Sequence, residues 1–245
     1  MALLPELPAP LELMRFRAWK RWRRFKRTML YNTGMDTCLC RYPMGAMLMH
    51  PNGEVRPCCK YDEPLLDDAG QPLSSHRQSL EEIWAHPSYQ RLRQQLAQGQ
   101  RPSGCWKCWQ EDEQGIESMR WSSFDIFPKQ IEKQTPAFPQ FLELFPGNVC
   151  NLKCRICTPL LSTKWLAEAE DAGGTTYSTY DNLDEAQVEE LLAHADAIQD
   201  LAIMGGEPLL MPKALNLLER LAASGAAAHI RLRLSTNTSL YKEDF

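Results

Sequence analysis

The sequence predicts an α/β protein: strands and helices alternate over residues 138–245, and a small cysteine-rich α+β segment precedes them. Two observations carry this prediction. Beyond a stretch punctuated by Pro128, Pro136 and Pro139, short apolar runs of strand length alternate with amphipathic runs of helix length. That is the pattern of a parallel sheet with right-handed crossovers. Nine cysteines fall mostly in tight pairs or a triplet that no disulfide framework would need, so metal ligation is the better reading.

Residues 1–34 form a basic arm. Within it, Met14–Arg27 puts Phe16, Trp19 and Trp22 on one stripe of an amphipathic helix set among arginines and lysines. Residues 1–27 carry eight Lys/Arg against two Glu, so the arm is about +6 and the remainder about −10 within a net charge of −4. Such a helix either packs its aromatic edge on the body or makes peripheral contact with a membrane surface or another anionic partner. The acidic body argues against nucleic acid.

Residues 35–125 form the cysteine-rich segment. Ala46–Met49, the turn Pro51-Asn52-Gly53 and Glu54–Arg56 read as a hairpin delivering cysteines from both ends. The Asp-, Pro- and Gly-rich stretch Asp62–Ser75 reads as a loop. Ser79–Gln98 is expected as one helix, with Ser79 and Glu82 as a capping box and Leu80, Ile83 and Trp84 on its buried face. Gly99 ends it, and Cys105-Trp106-Lys107-Cys108 follows. Glu111-Asp112-Glu113 reads as a solvated face, and Trp106 and Trp109 as packing beside the cysteines.

In residues 138–245 the expected strands are Phe141–Phe145, Leu201–Met204 and Ile230–Leu234. The expected helices are Leu161–Ala172, Leu183–Ala193 and Lys213–Ala223, the last closed by Gly225. Cys150-x3-Cys154-x2-Cys157 begins just past the first strand, at the rim where parallel α/β folds build their sites. Three thiolates with no fourth cysteine or histidine nearby in sequence would leave one iron of a four-iron cubane open, whereas structural zinc closes its tetrahedron.

This triplet resembles the signature of the radical S-adenosylmethionine (SAM) superfamily. Gly205-Gly206-Glu207-Pro208, after the second strand, resembles that superfamily's second motif. Ser235-Thr236-Asn237-Thr238, ending the third strand, resembles its third-strand polar cluster. The resemblance implies a partial (βα)6 radical SAM barrel with about three strands present, and a [4Fe-4S] cluster on Cys150, Cys154 and Cys157 whose free iron chelates SAM. It further implies that Gly205 and Gly206 let backbone approach the ligand, that Glu207 accepts from the methionyl ammonium, that Ile156 packs near the adenine, and that Ser235 and Asn237 line the cavity. An electron from an external low-potential donor such as flavodoxin or ferredoxin would then cleave SAM to a 5′-deoxyadenosyl radical that abstracts hydrogen from substrate. The residues alone fit a strand-to-helix turn at 205–208 and a helix N-cap at Ser235 or Asn237 equally well.

Cys40-x12-Gly53-x4-Cys58, Ser79–Trp84 and Gly104–Cys108 resemble the SPASM and twitch modules attached to many radical SAM enzymes. With no cysteine between Cys108 and Cys150, the one-cluster twitch form is the closer match, and it implies an auxiliary [4Fe-4S] cluster on Cys40, Cys58, Cys105 and Cys108. Such modules usually follow the barrel, so their geometry here stays open. A zinc knuckle from the same four cysteines is the alternative. Cys38 and Cys59 are bystanders or substitutes for their neighbours, and histidines 50, 76, 86, 194 and 229 form no ligand pair.

The resembled barrel has six βα units, so the chain is expected to be a fragment carrying the N-terminal half. A peptide is the first expectation for substrate and a carbohydrate the second; a non-enzymatic zinc-binding adaptor is the reading of a different class. No signal peptide or membrane-length apolar run is recognisable, and the expected location is cytoplasmic.

Overall fold

The computed structural model describes residues 38–171, 177–180 and 183–240; the basic arm lies outside the described residues. Strands β1 (Ala46–Met49) and β2 (Val55–Arg56) pair as the expected antiparallel hairpin. Its turn uses Gly53 at φ +79, and a Cβ there would meet the His76 ring at 2.8 Å. Strands β3 (Phe141–Leu144), β4 (Asp200–Ile203) and β5 (Arg231–Leu234) run parallel.

All five strands belong to one sheet in the order β2-β1-β3-β4-β5. The cysteine-rich segment is thus not a detached unit. Its strand β1 pairs in parallel with β3, from Ala46 opposite Phe141 to Met49 opposite Leu144. Every residue of Ala46-Met47-Leu48-Met49 is buried, as an unbroken apolar run inside a parallel sheet should be.

Eight α-helices are described: α1 (Tyr42–Gly45), α2 (Leu80–Ala85), α3 (Pro87–Ala97), α4 (Trp106–Glu113), α5 (Met119–Ile126), α6 (Leu166–Asp171), α7 (Glu185–Ala193) and α8 (Pro212–Ser224). The single helix expected over 79–98 is two. The ring of Pro87 keeps His86 extended (φ −62, ψ 141), which ends α2 after its capping box and starts α3. The helix expected from Leu161 begins later, at Leu166, behind a 3₁₀ turn whose N-cap is Ser162. Helix α7 starts on its own capping box, Asp184 with Gln187.

Side chains alternate across the sheet. On one face, Leu201 and Leu232 line an apolar groove with Leu218 and Leu221 of α8. On the other, Phe141 meets Tyr42 and Phe127 edge-on, at 6.3 and 6.2 Å between centroids. That second face also carries charge: Asp200, almost fully buried, receives both Arg231 and Arg233, and Arg233 lies 4.6 Å over Phe141.

Two further contacts tie the segments together. The Glu190 carboxylate of α7 accepts the Leu80 and Glu81 N–H groups at 2.9 and 2.8 Å, capping α2, and Gln187 donates to the Ser75 carbonyl at 2.8 Å. Among the described residues no helix is long and apolar enough to cross a membrane.

Candidate metal centres

The hairpin and α4 bring Cys40, Cys58, Cys105 and Cys108 to the wall of one cavity, with Tyr61, Trp109 and Arg120 beside them. Cys40 arrives just before α1. Cys58 leaves β2, and Cys105 and Cys108 sit at the entry and in the first turns of α4. Gly104 lets this last segment close on Tyr61, since a Cβ there would stand 2.6 Å from the ring.

Burial pushes the Cys40 thiol up to about 11 and raises Cys58, Cys105 and Cys108 too, each also raised by neighbouring cysteine or acidic side chains. Burial therefore favours neutral thiols, and ligation, which needs thiolates, must release protons. The backbone N–H groups of Tyr42, Lys60 and Arg120 oppose that rise at Cys40, Cys58 and Cys108, acting as amide donors toward those sulfurs. The indole N–H of Trp109 is buried without an acceptor among the described residues, in the wall of the same cavity. Four cysteines, amide donors to sulfur and an unspent N–H fit an iron–sulfur cluster, whose sulfur atoms accept such bonds.

Cys59 is exposed, its S–H directed at Met119 Sδ at 3.5 Å, and Cys38 is buried next to Arg101. Neither lines the cavity. The acidic run is the expected solvated face only in part: Glu113 is exposed and pairs with Arg101 at the surface, whereas half-buried Glu111 pairs with Lys60 and Asp112 with buried Arg120. Trp106 is half exposed and donates to Asp62, so of the two tryptophans Trp109 alone lines the cavity.

Cys150, Cys154 and Cys157 follow β3 in a loop at the carboxyl end of the parallel strands. Burial raises Cys157, with Cys154 and Cys150 adding to the rise, so the three sulfurs stand within electrostatic reach of one another. Residues 151–156 are exposed and Ile156 is 95 % so. The loop therefore lies at the surface, with Cys154 exposed and Cys150 and Cys157 half-buried, and fits a cluster that docks from solvent.

The Gly205-Gly206-Glu207 turn clasps this loop. Glu207 N–H donates to Val149 O at 2.8 Å and Gly206 N–H to Leu161 O at 3.0 Å. Gly206 sits at φ +47, where a Cβ would come within 2.3 Å of Val149 O; at Gly205 (φ +82) it would stand 2.7 Å from the Phe145 ring. The glycines thus serve close approach of two protein segments. Glu207 is fully buried, and its carboxylate accepts from Leu209 N, Thr236 Oγ1 and Asn237 N at 3.0, 2.9 and 2.7 Å. Three of its roughly four acceptor positions are spent inside the protein.

Asn237 in turn donates from Nδ2 to Asn151 Oδ1 at 3.0 Å and, weakly, to Cys150 Sγ at 3.9 Å; Ser239 N–H into its Oδ1 fixes the amide orientation. Ser235 is exposed and only continues the ladder, donating its N–H to Ile203 O. Among the described residues no group of three or more His, Cys, Asp or Glu is arranged around a single metal ion. In a cubane each thiolate binds its own iron, so the ligands stand farther apart than the four around one zinc.

The chain therefore combines a four-cysteine cavity with a three-cysteine loop on one α/β sheet. Residues 38–109 match the SPASM iron–sulfur cluster-binding domain, and the four-cysteine cavity draws all its cysteines from that stretch. No curated protein and no solved structure matches the chain. What the sequence concealed is Arg120, which α5 brings into the cavity wall, and Asp112 near the end of α4, which holds it there by an ion pair. They carry no spacing signal, because their roles depend on how α5 folds back.

Proposed function

We propose that this chain is a radical SAM enzyme of the kind that carries an auxiliary cluster. Cys150, Cys154 and Cys157 would hold a [4Fe-4S] cluster with one open iron, and Cys40, Cys58, Cys105 and Cys108 an auxiliary [4Fe-4S] cluster. Strands β3, β4 and β5 would be the first three of a (βα)6 barrel. One observation carries the reading: the surface cysteine loop at the carboxyl end of the parallel strands, clasped by Gly205-Gly206-Glu207. The SPASM match upstream supports it.

When bound, the first cluster supplies the electron, delivered by a flavodoxin- or ferredoxin-like donor, that cleaves SAM to a hydrogen-abstracting radical. The chain's own residues hold the site. Glu207 fixes the ends of β4 and β5 against each other, Asn237 spans Asn151 and Cys150, and exposed Ile156 offers an apolar surface for the adenine. Below the rim, the charged sheet face (Glu143, Asp200, Arg231, Arg233) would look into the barrel. A peptide is the first candidate substrate and a carbohydrate the second.

The test is anaerobic reconstitution with iron and sulfide, followed by SAM and a low-potential reductant. Expected are about eight irons per chain for two cubanes and formation of 5′-deoxyadenosine. Cys154→Ala should abolish the nucleoside while about four irons remain. Stoichiometric zinc, no sulfide and no nucleoside would overturn the proposal.

A further inference from the structure

Arg120 lies beyond the end of the SPASM match, yet its side chain is 3 % exposed and lines the four-cysteine cavity. It is held on every side. Nε and Nη2 donate to Asp112 Oδ2 at 3.0 and 2.5 Å, and Nη1 donates to the carbonyl of Leu39, the residue before Cys40, at 3.3 Å. The guanidinium stands over two indoles, 4.5 Å from the Trp109 centroid and 4.4 Å from that of Trp121. Trp121 Nε1 donates to the other oxygen of Asp112 at 2.7 Å. The backbone N–H of Arg120 acts on the Cys108 sulfur in the direction that favours its thiolate.

Removing a guanidinium from water is expensive, and a single carboxylate offsets the cost in part. Asp112 is not in the cavity wall, whereas Arg120 is, and the Arg120 charge stabilises the Cys40 and Cys105 thiolates while the Asp112 carboxylate is felt at Cys108, so the pair's positive end acts on the Cys40–Cys105 side of the cavity. A cubane on four thiolates is already anionic, and each electron added makes it more so. In a cavity screened from water a fixed cation beside it favours the reduced, more negative state.

We propose that Arg120 sets the reduction potential of the cluster held by Cys40, Cys58, Cys105 and Cys108, and that Asp112 positions it to do so. This rests on the reading of residues 38–109 as cluster-binding. The step is the transfer of one electron from a low-potential one-electron donor to the cluster; no bond forms or breaks. Arg120 is a positioning and tuning residue here, acting by charge rather than by ligation.

The test uses the full chain with Cys150, Cys154 and Cys157 all changed to serine, so that the auxiliary cluster is isolated. Iron and sulfide are quantified, and the midpoint is read by potentiometric titration with an EPR readout. Arg120→Gln should bind about four irons, but at the parent's midpoint its ratio of reduced to oxidised cluster should fall about tenfold, equal to about 59 mV for a one-electron couple. Arg120→Lys, which keeps the charge, should recover most of that shift. Asp112→Asn, which removes the counter-charge, should move the midpoint the other way.

An unchanged midpoint in Arg120→Gln overturns the proposal, as does Arg120→Lys falling as far as Arg120→Gln. If Arg120→Gln fails to load iron, the proposal stands or falls on whether Asp112→Asn raises the midpoint. A parent chain that takes up zinc and no sulfide would instead defeat the cluster reading itself.

Discussion

Gly206→Ala probes the clasp directly, because the structure states what the added methyl would strike. The new Cβ would lie 2.3 Å from Val149 O, 2.5 Å from Met211 Cε and 3.0 Å from Asn148 C. The methionine tip can swing aside, but the carbonyl belongs to the residue before Cys150, and the Glu207 N–H bond pins it at 2.8 Å. The φ of +47 adds about 1–2 kcal/mol for a left-handed side-chain-bearing residue, and overpacking against backbone adds about 1–3 kcal/mol. The sum of about 2–5 kcal/mol is a large share of a typical stability of about 5–15 kcal/mol. Gly70→Ala is the internal control: it has a similar left-handed φ of +74 but nothing within 4 Å, so only the conformational cost, about 1–2 kcal/mol, applies. Urea unfolding of both variants isolates the clash, and iron analysis after reconstitution shows where it acts. Gly206→Ala should lose the iron assigned to the triplet and keep that of the four-cysteine cavity. If it matched Gly70→Ala in stability and loaded iron like the parent, the clasp would not be what positions Cys150.

Three further outcomes follow from particular contacts. Glu207→Gln keeps the shape but turns an amide NH2 toward donors that a carboxylate now satisfies, so denaturation should show a loss of about 1–3 kcal/mol with weaker iron retention at the triplet. Cys58→Ser should cost the auxiliary iron, while Cys59→Ser, exposed and outside the cavity, should leave iron content at the parental level; equal losses in both would reassign the ligand. Burial raises the Glu143 carboxyl, an effect that the Arg233 charge partly offsets. A carboxyl raised in the folded state favours folding while protonated, so its contribution is full below the unfolded value and is lost as pH rises through the folded one. Glu143→Gln should therefore flatten the stability profile on that acid limb and gain most on its neutral side; a variant whose profile parallels the parent's would show that Glu143 carries no such effect.

The elements with a local cause were legible in the sequence. The hairpin turn rests on Gly53, α2 on the Ser79–Glu82 box, and α8 stops at Gly225 (φ +80). The candidate ligands were legible for the same reason, since closely spaced cysteines share a loop or a helix turn. Misreadings came where a single residue or a distant partner overrode the local pattern. Pro87 split a helix whose apolar spacing runs straight through it. The acidic residues 111–113 face three cations from three other parts of the chain, one of them, Lys60, 51 residues before its partner Glu111, and which of them meet depends on how those parts fold together. The sequence is also silent on the bonds that Glu207 accepts from Thr236 and Asn237, because they form only when the segment after β5 is brought beside it.

The pairing of β1 with β3 has the widest reach, because it bears on the geometry that the sequence left open. A cysteine-rich segment joined to an α/β segment by a proline-bearing stretch has no defined orientation in sequence; a parallel ladder in fixed register gives it one. Cys40 lies before β1 and Cys58 after the antiparallel β2, both at the end where β1 begins, whereas Cys150 lies beyond the end where β3 leaves. The two sites therefore stand at opposite ends of strands four residues long, each about 13 Å from end to end. Slipping β1 by one residue would turn Met47 and Met49 from one face of the sheet to the other, so the register is defended by the same burial that forms the core. The spacing between the two cysteine sets is in this way a property of the sheet, and a polar substitution at Met47 should disturb both sites together although it touches neither.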